Sequence, residues 1–114
     1  LTDTENLNVV AFEKETMDKL GLIPEIAPRY RATYFSHIIG GYAAGYYSYL
    51  WAEVLDTDAF EAFKEHGVFD KNTADSFRKN ILEKGGTEDP MTLYRGFRGA
   101  DPSLEPLLKN RGLK

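Results

Sequence analysis

Between His37 and Glu53 the chain reads HIIGGYAAGYYSYLWAE, with no charge from Ile38 to Ala52 and tyrosines at 42, 46 and 49. The spacing i, i+4, i+7 puts three side chains on one α-helical face, within about 60° of one another at about 100° per residue. Glu53 continues that row. A second row of Ala43, Tyr47, Leu50 and Val54, flanked by Trp51 and Leu55, falls about 90–120° round the same helix. The spacing therefore predicts a long helix from Tyr42 to Glu65, entered through a loop at Gly40-Gly41. One of its faces is apolar core and the next is a row of phenols. The uncharged run also contains Gly41-x-x-x-Gly45, the form of a membrane packing motif. Its 15 residues fall short of the ~20 needed to span a bilayer.

Helical punctuation continues on both sides. Thr2 and Glu5 have the spacing of a capping box, and Leu7, Val10, Lys14 and Met17 recur at helical intervals, predicting a first helix from Thr4 to Leu20. Gly21 then Pro24 end it. Leu22 to Tyr34 contains Pro24 and Pro28 and reads as an ordered, largely apolar connection. Asp56-Thr57-Asp58 is a place where the long helix could bend. Lys64, His66 and Gly67 mark its end, with His66 a partner for the helix C-terminus. A third helix, Thr73 to Lys84, follows a cap at Asp70 or Asn72 and buries Ala74, Phe77, Ile81 and Leu82. Asp89-Pro90 and Asp101-Pro102 each place a capping aspartate before a proline and predict two more short helices. These bury Leu93, Tyr94 and Phe97 in one, and Leu104, Leu107 and Leu108 in the other, ending at Gly99 and Gly112. No stretch alternates as a strand does. The expected fold class is all-α: about five helices around one long central helix.

Charge and composition narrow the functional classes. At 114 residues the chain is one domain's worth, enough for a modest core. Its net charge of −4 argues against nucleic acid and against an anionic membrane surface. With no cysteine, neither a disulfide framework nor a thiolate metal site can form. No secretory signal is visible at the N-terminus. The lack of cysteine fits a reducing compartment without requiring one.

Few constellations can carry chemistry. The only histidines, His37 and His66, would lie at opposite ends of the long helix and its lead-in, about 40 Å apart at 1.5 Å per residue. They cannot share a metal, so no metal-ligating residue is expected in this chain. No Gly-x-Ser-x-Gly frames a nucleophile, and the glycines follow no strand and precede no lysine, unlike a phosphate loop. The phenols are more promising. With pKa near 10 they remain protonated at neutral pH and can donate to peptide carbonyls or to a developing oxyanion. Glycines beside them let a substrate backbone approach. The competing explanation is that the tyrosines are simply core aromatics at a helix seam.

The motif His37-x-x-Gly40-Gly41-Tyr42-x-Ala44-x-Tyr46-Tyr47-x-Tyr49-Leu50-Trp51-x-Glu53-Val54 resembles the glycine-rich loop and following helix of the thimet-oligopeptidase family of zinc peptidases. Pro28-Arg29-Tyr30-Arg31, Asp58-Ala59-Phe60, Phe77-Arg78, Gly85-Gly86, Asp89-Pro90, Phe97-Arg98-Gly99 and Arg111-Gly112-Leu113 extend the likeness. It is most like the bacterial peptidyl-dipeptidase branch, with the oligopeptidase branch next. The resemblance implies that residues 1–114 are one helical segment from the C-terminal end of a much longer catalytic domain. The zinc motif His-Glu-x-x-His would lie upstream, so zinc is the cofactor of the parent, with no ligand in this chain. The implied partners are short peptide substrates and the upstream part of the same peptidase. By the same resemblance Tyr49 and His37 are the catalytic residues, donating to the oxyanion of the hydrolysed peptide. His37, Gly40, Gly41, Tyr42 and Tyr46 would bind substrate.

Three readings follow. The chain is the substrate-contacting, transition-state-stabilising part of a metallopeptidase that releases C-terminal dipeptides, inactive when isolated. Alternatively it is a free-standing helical module that docks a peptide on the Tyr42/Tyr46/Tyr49 face. Or it is a structural domain whose tyrosines are buried, which their solvent exposure decides.

Overall fold

The computed structural model describes residue 4 and residues 6–114. Among the described residues it is all-helical with no strand: α1 (Val9–Lys19), α2 (Ser48–His66), α3 (Lys71–Phe77), α4 (Pro90–Arg98) and α5 (Glu105–Asn110). Short 3-10 turns at Ala32–Tyr34, Ser36–Ile38 and Gly45–Tyr47 lie between α1 and α2. The residues fall into two compact units, one up to Tyr46 and the other from Tyr47 onward.

In the first unit α1 starts five residues later than the spacing predicted. Asn8 is the cap, its side-chain oxygen accepting from the Ala11 amide at 3.1 Å, which satisfies one otherwise unpaired donor of the first turn. The expected Thr2–Glu5 box lies outside the described residues. Glu15 and Lys19 pair at 2.7 Å on the helix surface. Beyond Gly21, residues 22–31 fold back along α1: Leu22, Ile23, Ile26 and Pro28 line a depression shared with Val10, Glu13 and Met17. Arg31 reaches Glu13 at 3.3 Å and closes this connection.

The second unit is organised on one stripe of α2. Val54, Asp58 and Ala62, spaced i, i+4, i+8, are its buried residues, and they meet Leu93 and Tyr94 of α4 and Leu107 of α5 in the core. Phe77 packs edge-on to Phe97 at 5.1 Å and Phe63 edge-on to Phe77 at 6.0 Å, extending the core sideways. The α2 helix runs unbroken through Asp56-Thr57-Asp58; the Thr57 hydroxyl donates back to the Glu53 carbonyl at 2.7 Å. As expected, its last turn carries Lys64 and His66, with His66 Nδ1 2.9 Å from the Ala62 carbonyl oxygen.

Several expectations change. The long helix begins at Ser48, not Tyr42, because the chain from 39 to 44 is a series of turns: Gly41 has φ +115° and Ala43 φ +48°. A left-handed residue at 43 cannot continue a right-handed helix. His37 and His66 therefore do not bracket one helix; His37 lies in the 3-10 turn Ser36–Ile38 of the first unit. Of the apolar row Ala43, Tyr47, Leu50 and Val54, only Val54 is buried; Tyr47, Leu50 and Trp51 are exposed. Helix α3 starts at Lys71 on an Asp70 cap that accepts from Thr73 at 2.7 Å. It runs into a π-helical turn at Arg78–Leu82; of the four residues expected to be buried, Phe77 and Ile81 are half-buried, and Ala74 and Leu82 are exposed. Asp89 caps α4 before Pro90 as predicted, accepting from Thr92 at 2.9 Å. Asp101 does not cap α5: it accepts from Arg95 Nε at 2.5 Å, and the helix starts later, after Leu104, with Leu104 itself exposed.

Candidate functional site

The predicted substrate-binding residues His37, Gly40, Gly41, Tyr42 and Tyr46 belong to the first unit, and its turns bring them into one loop. Gly40 donates to the Ser36 carbonyl at 2.8 Å, Tyr42 to His37 at 3.1 Å and Gly45 to Tyr42 at 2.7 Å. The main chain thus winds round His37. Two glycines are required for this path. A Cβ on Gly40 would stand 3.2 Å from the Ser36 carbonyl oxygen, and Gly41 holds a φ that L side chains rarely adopt.

The loop gathers rings around His37. Its imidazole centroid is 4.9 Å from Tyr46, 5.6 Å from Tyr42, 5.3 Å from Phe35 and 6.2 Å from Tyr30. Tyr42 and Tyr46 also pack edge-on to one another at 6.1 Å. These are the separations and tilted geometries that aromatic pairs favour. Phe35 and Tyr30, which stack at 5.1 Å, were missed as site residues. The signal available was the position of Phe35 two residues before His37 and the apolar connection that carries Tyr30. His37 and Tyr46 are half-buried, whereas Tyr42 is 40% exposed.

Tyr49, the other predicted catalytic residue, stands in the first turn of α2 in the second unit, 53% exposed. The expected single helical row of 42, 46 and 49 therefore does not form, since only the last of the three is on α2. Within the described residues Tyr42 and Tyr49 are exposed and Tyr46 is half-buried.

Among the described residues no group of three or more His, Cys, Asp or Glu side chains could hold a metal ion. These residues do not by themselves fit a zinc site. No helix among them is long and apolar enough to cross a membrane.

The second unit carries a polar network that spacing alone did not reveal. The Tyr94 hydroxyl donates to Asp58 Oδ2 at 2.5 Å. Arg98 Nε donates to the Asp58 carbonyl at 3.2 Å and lies 3.4 Å from its carboxylate, while its guanidinium grips Glu65 at 2.8 and 3.0 Å. Burial, and then the Asp58 carboxylate, push the Tyr94 phenol well above the tyrosine range. The Arg98 hydrogen bond holds Glu65 below the usual carboxylate value. A carboxylate falling on the Val54–Ala62 stripe was the available sign, because buried charge needs partners.

The sequence model of peptidase family M3 matches residues 1–113. Oligopeptidase A of Escherichia coli K12 is 57% identical over 70% of this chain and 12% of its own length. Dipeptidyl carboxypeptidase of the same strain is 43% identical over 99% of this chain and 16% of its own. Probable cytosolic oligopeptidase A of Arabidopsis thaliana is 55% identical over 69% of this chain and 12% of its own. The chain thus spans between 12% and 16% of the length of these curated relatives. With the family pattern running from its first residue to its penultimate one, the chain belongs to peptidase family M3.

Proposed function

We propose that this chain is the substrate-contacting, transition-state-stabilising portion of a zinc metallopeptidase that hydrolyses short peptides and releases C-terminal dipeptides. The observation that carries the reading is the clustering of His37, Tyr42 and Tyr46 in one glycine-turned loop. Polar ring atoms beside a main chain stripped of side chains suit a peptide backbone. Gly40 and Gly41 allow the substrate to approach, and His37, Tyr42 and Tyr46 hold it in register. Tyr49, with His37, donates a hydrogen bond where negative charge develops on the scissile carbonyl oxygen. Such a donor acts more strongly on the transition state than on the bound peptide.

Dipeptide release leans on the likeness to dipeptidyl carboxypeptidase across almost the whole chain, while the higher identity to oligopeptidase A over a shorter stretch keeps the oligopeptidase alternative. The zinc of such an enzyme would be held by residues outside this chain, which alone has neither zinc in stoichiometric amount nor peptidase activity. We place the enzyme in the bacterial cytoplasm, partnered by the rest of its own catalytic domain.

The test is Tyr49→Phe in the full-length enzyme, assayed on a short peptide. Loss of an oxyanion donor lowers kcat by about 10²-fold or more. Turnover equal to wild type would sink the assignment.

A further inference from the structure

A neutral imidazole has one N–H and one lone pair, and which nitrogen holds the proton decides whether it donates or accepts at a site. For His37 the surroundings discriminate between the two. Its Nδ1 is buried and has no hydrogen-bonding partner among the described residues. An N–H placed there would lose water and find no acceptor, a cost native proteins rarely carry. Phe35, 5.3 Å from the imidazole, packs edge-on to Tyr46 at 4.7 Å and is backed by Tyr30, stacked on it at 5.1 Å. A phenyl ring offers no hydrogen-bonding group. It can neither accept a hydrogen bond from Nδ1 nor donate one to it.

We propose that Phe35 is a positioning residue: by walling off Nδ1 it fixes His37 as the Nε2–H tautomer, so that His37 is a hydrogen-bond donor. The link to a substrate carbonyl rests on the peptidase reading; the tautomer does not. The backbone supports the same arrangement. Ile38 donates to the Phe35 carbonyl at 3.2 Å and Tyr42 to that of His37 at 3.1 Å, so the turn holds the main chain that carries both side chains. Neither Phe35 nor Tyr30 touches the reaction in this account; Phe35 acts through His37, and Tyr30 through Phe35.

The experiment is long-range ¹H–¹⁵N correlation of the imidazoles in the ¹⁵N-labelled 114-residue chain, above the end of the His37 titration, with His66→Gln assigning the signals. Wild type and Phe35→Leu, which keeps an apolar wall, should show a protonated Nε2 and an unprotonated Nδ1. Phe35→Ala admits water, and its two ¹⁵N shifts should move toward the average of the two tautomers. An Nδ1–H pattern in wild type, as an N–H···π contact with a neighbouring ring would give, overturns the proposal. So does an unchanged pattern in Phe35→Ala with its helical circular dichroism intact. Should Phe35→Ala unfold, Phe35→Val opens a smaller gap and is read the same way. A chain with the Nε2–H pattern whose full-length enzyme is indifferent to Tyr49→Phe keeps this inference and loses the Tyr49 assignment. The converse pair of results does the opposite.

Discussion

The Tyr94 hydroxyl and the Asp58 carboxylate meet at 2.5 Å, joining α4 to the middle of α2 through two side chains that are 6% and 4% exposed. A carboxylate in that position is tolerated because two donors, Tyr94 and Arg98, meet its Oδ2. Tyr94→Phe removes one donor and keeps the ring. It should destabilise the chain by about 1–3 kcal/mol, the cost of a buried acceptor left short of a partner. Urea unfolding measures this, and an unchanged midpoint would refute it.

Acid should weaken the second unit. Glu65 is lowered by Arg98, Asp101 by Arg95, Glu105 by Lys114 and Asp70 by the Thr73 amide. A carboxylate whose folded value lies below its unfolded one stabilises above the unfolded value and loses that contribution as pH falls through the folded one. The chain should therefore melt at a lower temperature at pH 3 than at pH 7. Arg95→Gln, which deprives Asp101 of its partner, should narrow the gap. Equal melting at pH 3 and pH 7 would contradict the account.

The turn before α2 stores strain at Ala43, whose φ of +48° is left-handed. That conformation costs an L residue roughly 1–2 kcal/mol, while glycine adopts it freely at an entropic cost of about 0.5–1 kcal/mol. Ala43→Gly should be neutral to stabilising by up to about 1 kcal/mol. Ala43→Val, branched at Cβ, should destabilise more than Ala44→Val does. Calorimetry of the three variants tests the ordering, and a stabilised Ala43→Val is the result that rejects it.

The chain alone should self-associate. Leu50 and Trp51 are at least half exposed on α2, and Phe69 is almost wholly so. A chain that spans 12–16% of its relatives' lengths presents surfaces that a larger fold would cover, and apolar patches of this kind stick together in water. Sedimentation should show the weight-average mass rising with concentration, and less so for Trp51→Glu. A strict monomer at high concentration would count against it.

Much of this fold was legible in the spacing of apolar residues and in its punctuation. Asp70 and Asp89 cap where aspartate should, Pro90 opens a helix, and Gly99 ends one. What spacing could not show is where a local conformation breaks the period. Tyr42, Tyr46 and Tyr49 count as one helical row, but Gly41 and Ala43, on either side of Tyr42, take positive φ. The first two tyrosines then gather round His37 in a loop. The π-helical turn at Arg78–Leu82 likewise shifts the third helix by a register that no pattern of residue types announced. Asp101 pairs with Arg95 instead of capping because a side-chain partner six residues back competes for it. His37, Tyr42 and Tyr46 could be named as candidates by residue type, and their rings pack together. Phe35 and Tyr30, which act by shape, emerged only with the packing.

In the proposed mechanism Tyr49 serves the transition state more than the bound peptide. The most direct measurement compares, in the full-length enzyme, wild type with Tyr49→Phe for binding of two ligands. One is a slowly cleaved substrate peptide, and the other is its analogue with a tetrahedral centre at the scissile position. The account predicts that the variant loses about 10²-fold in affinity for the analogue and about twofold or less for the peptide, as a donor aimed at developing charge requires. Equal losses for both ligands, or none for either, would contradict it.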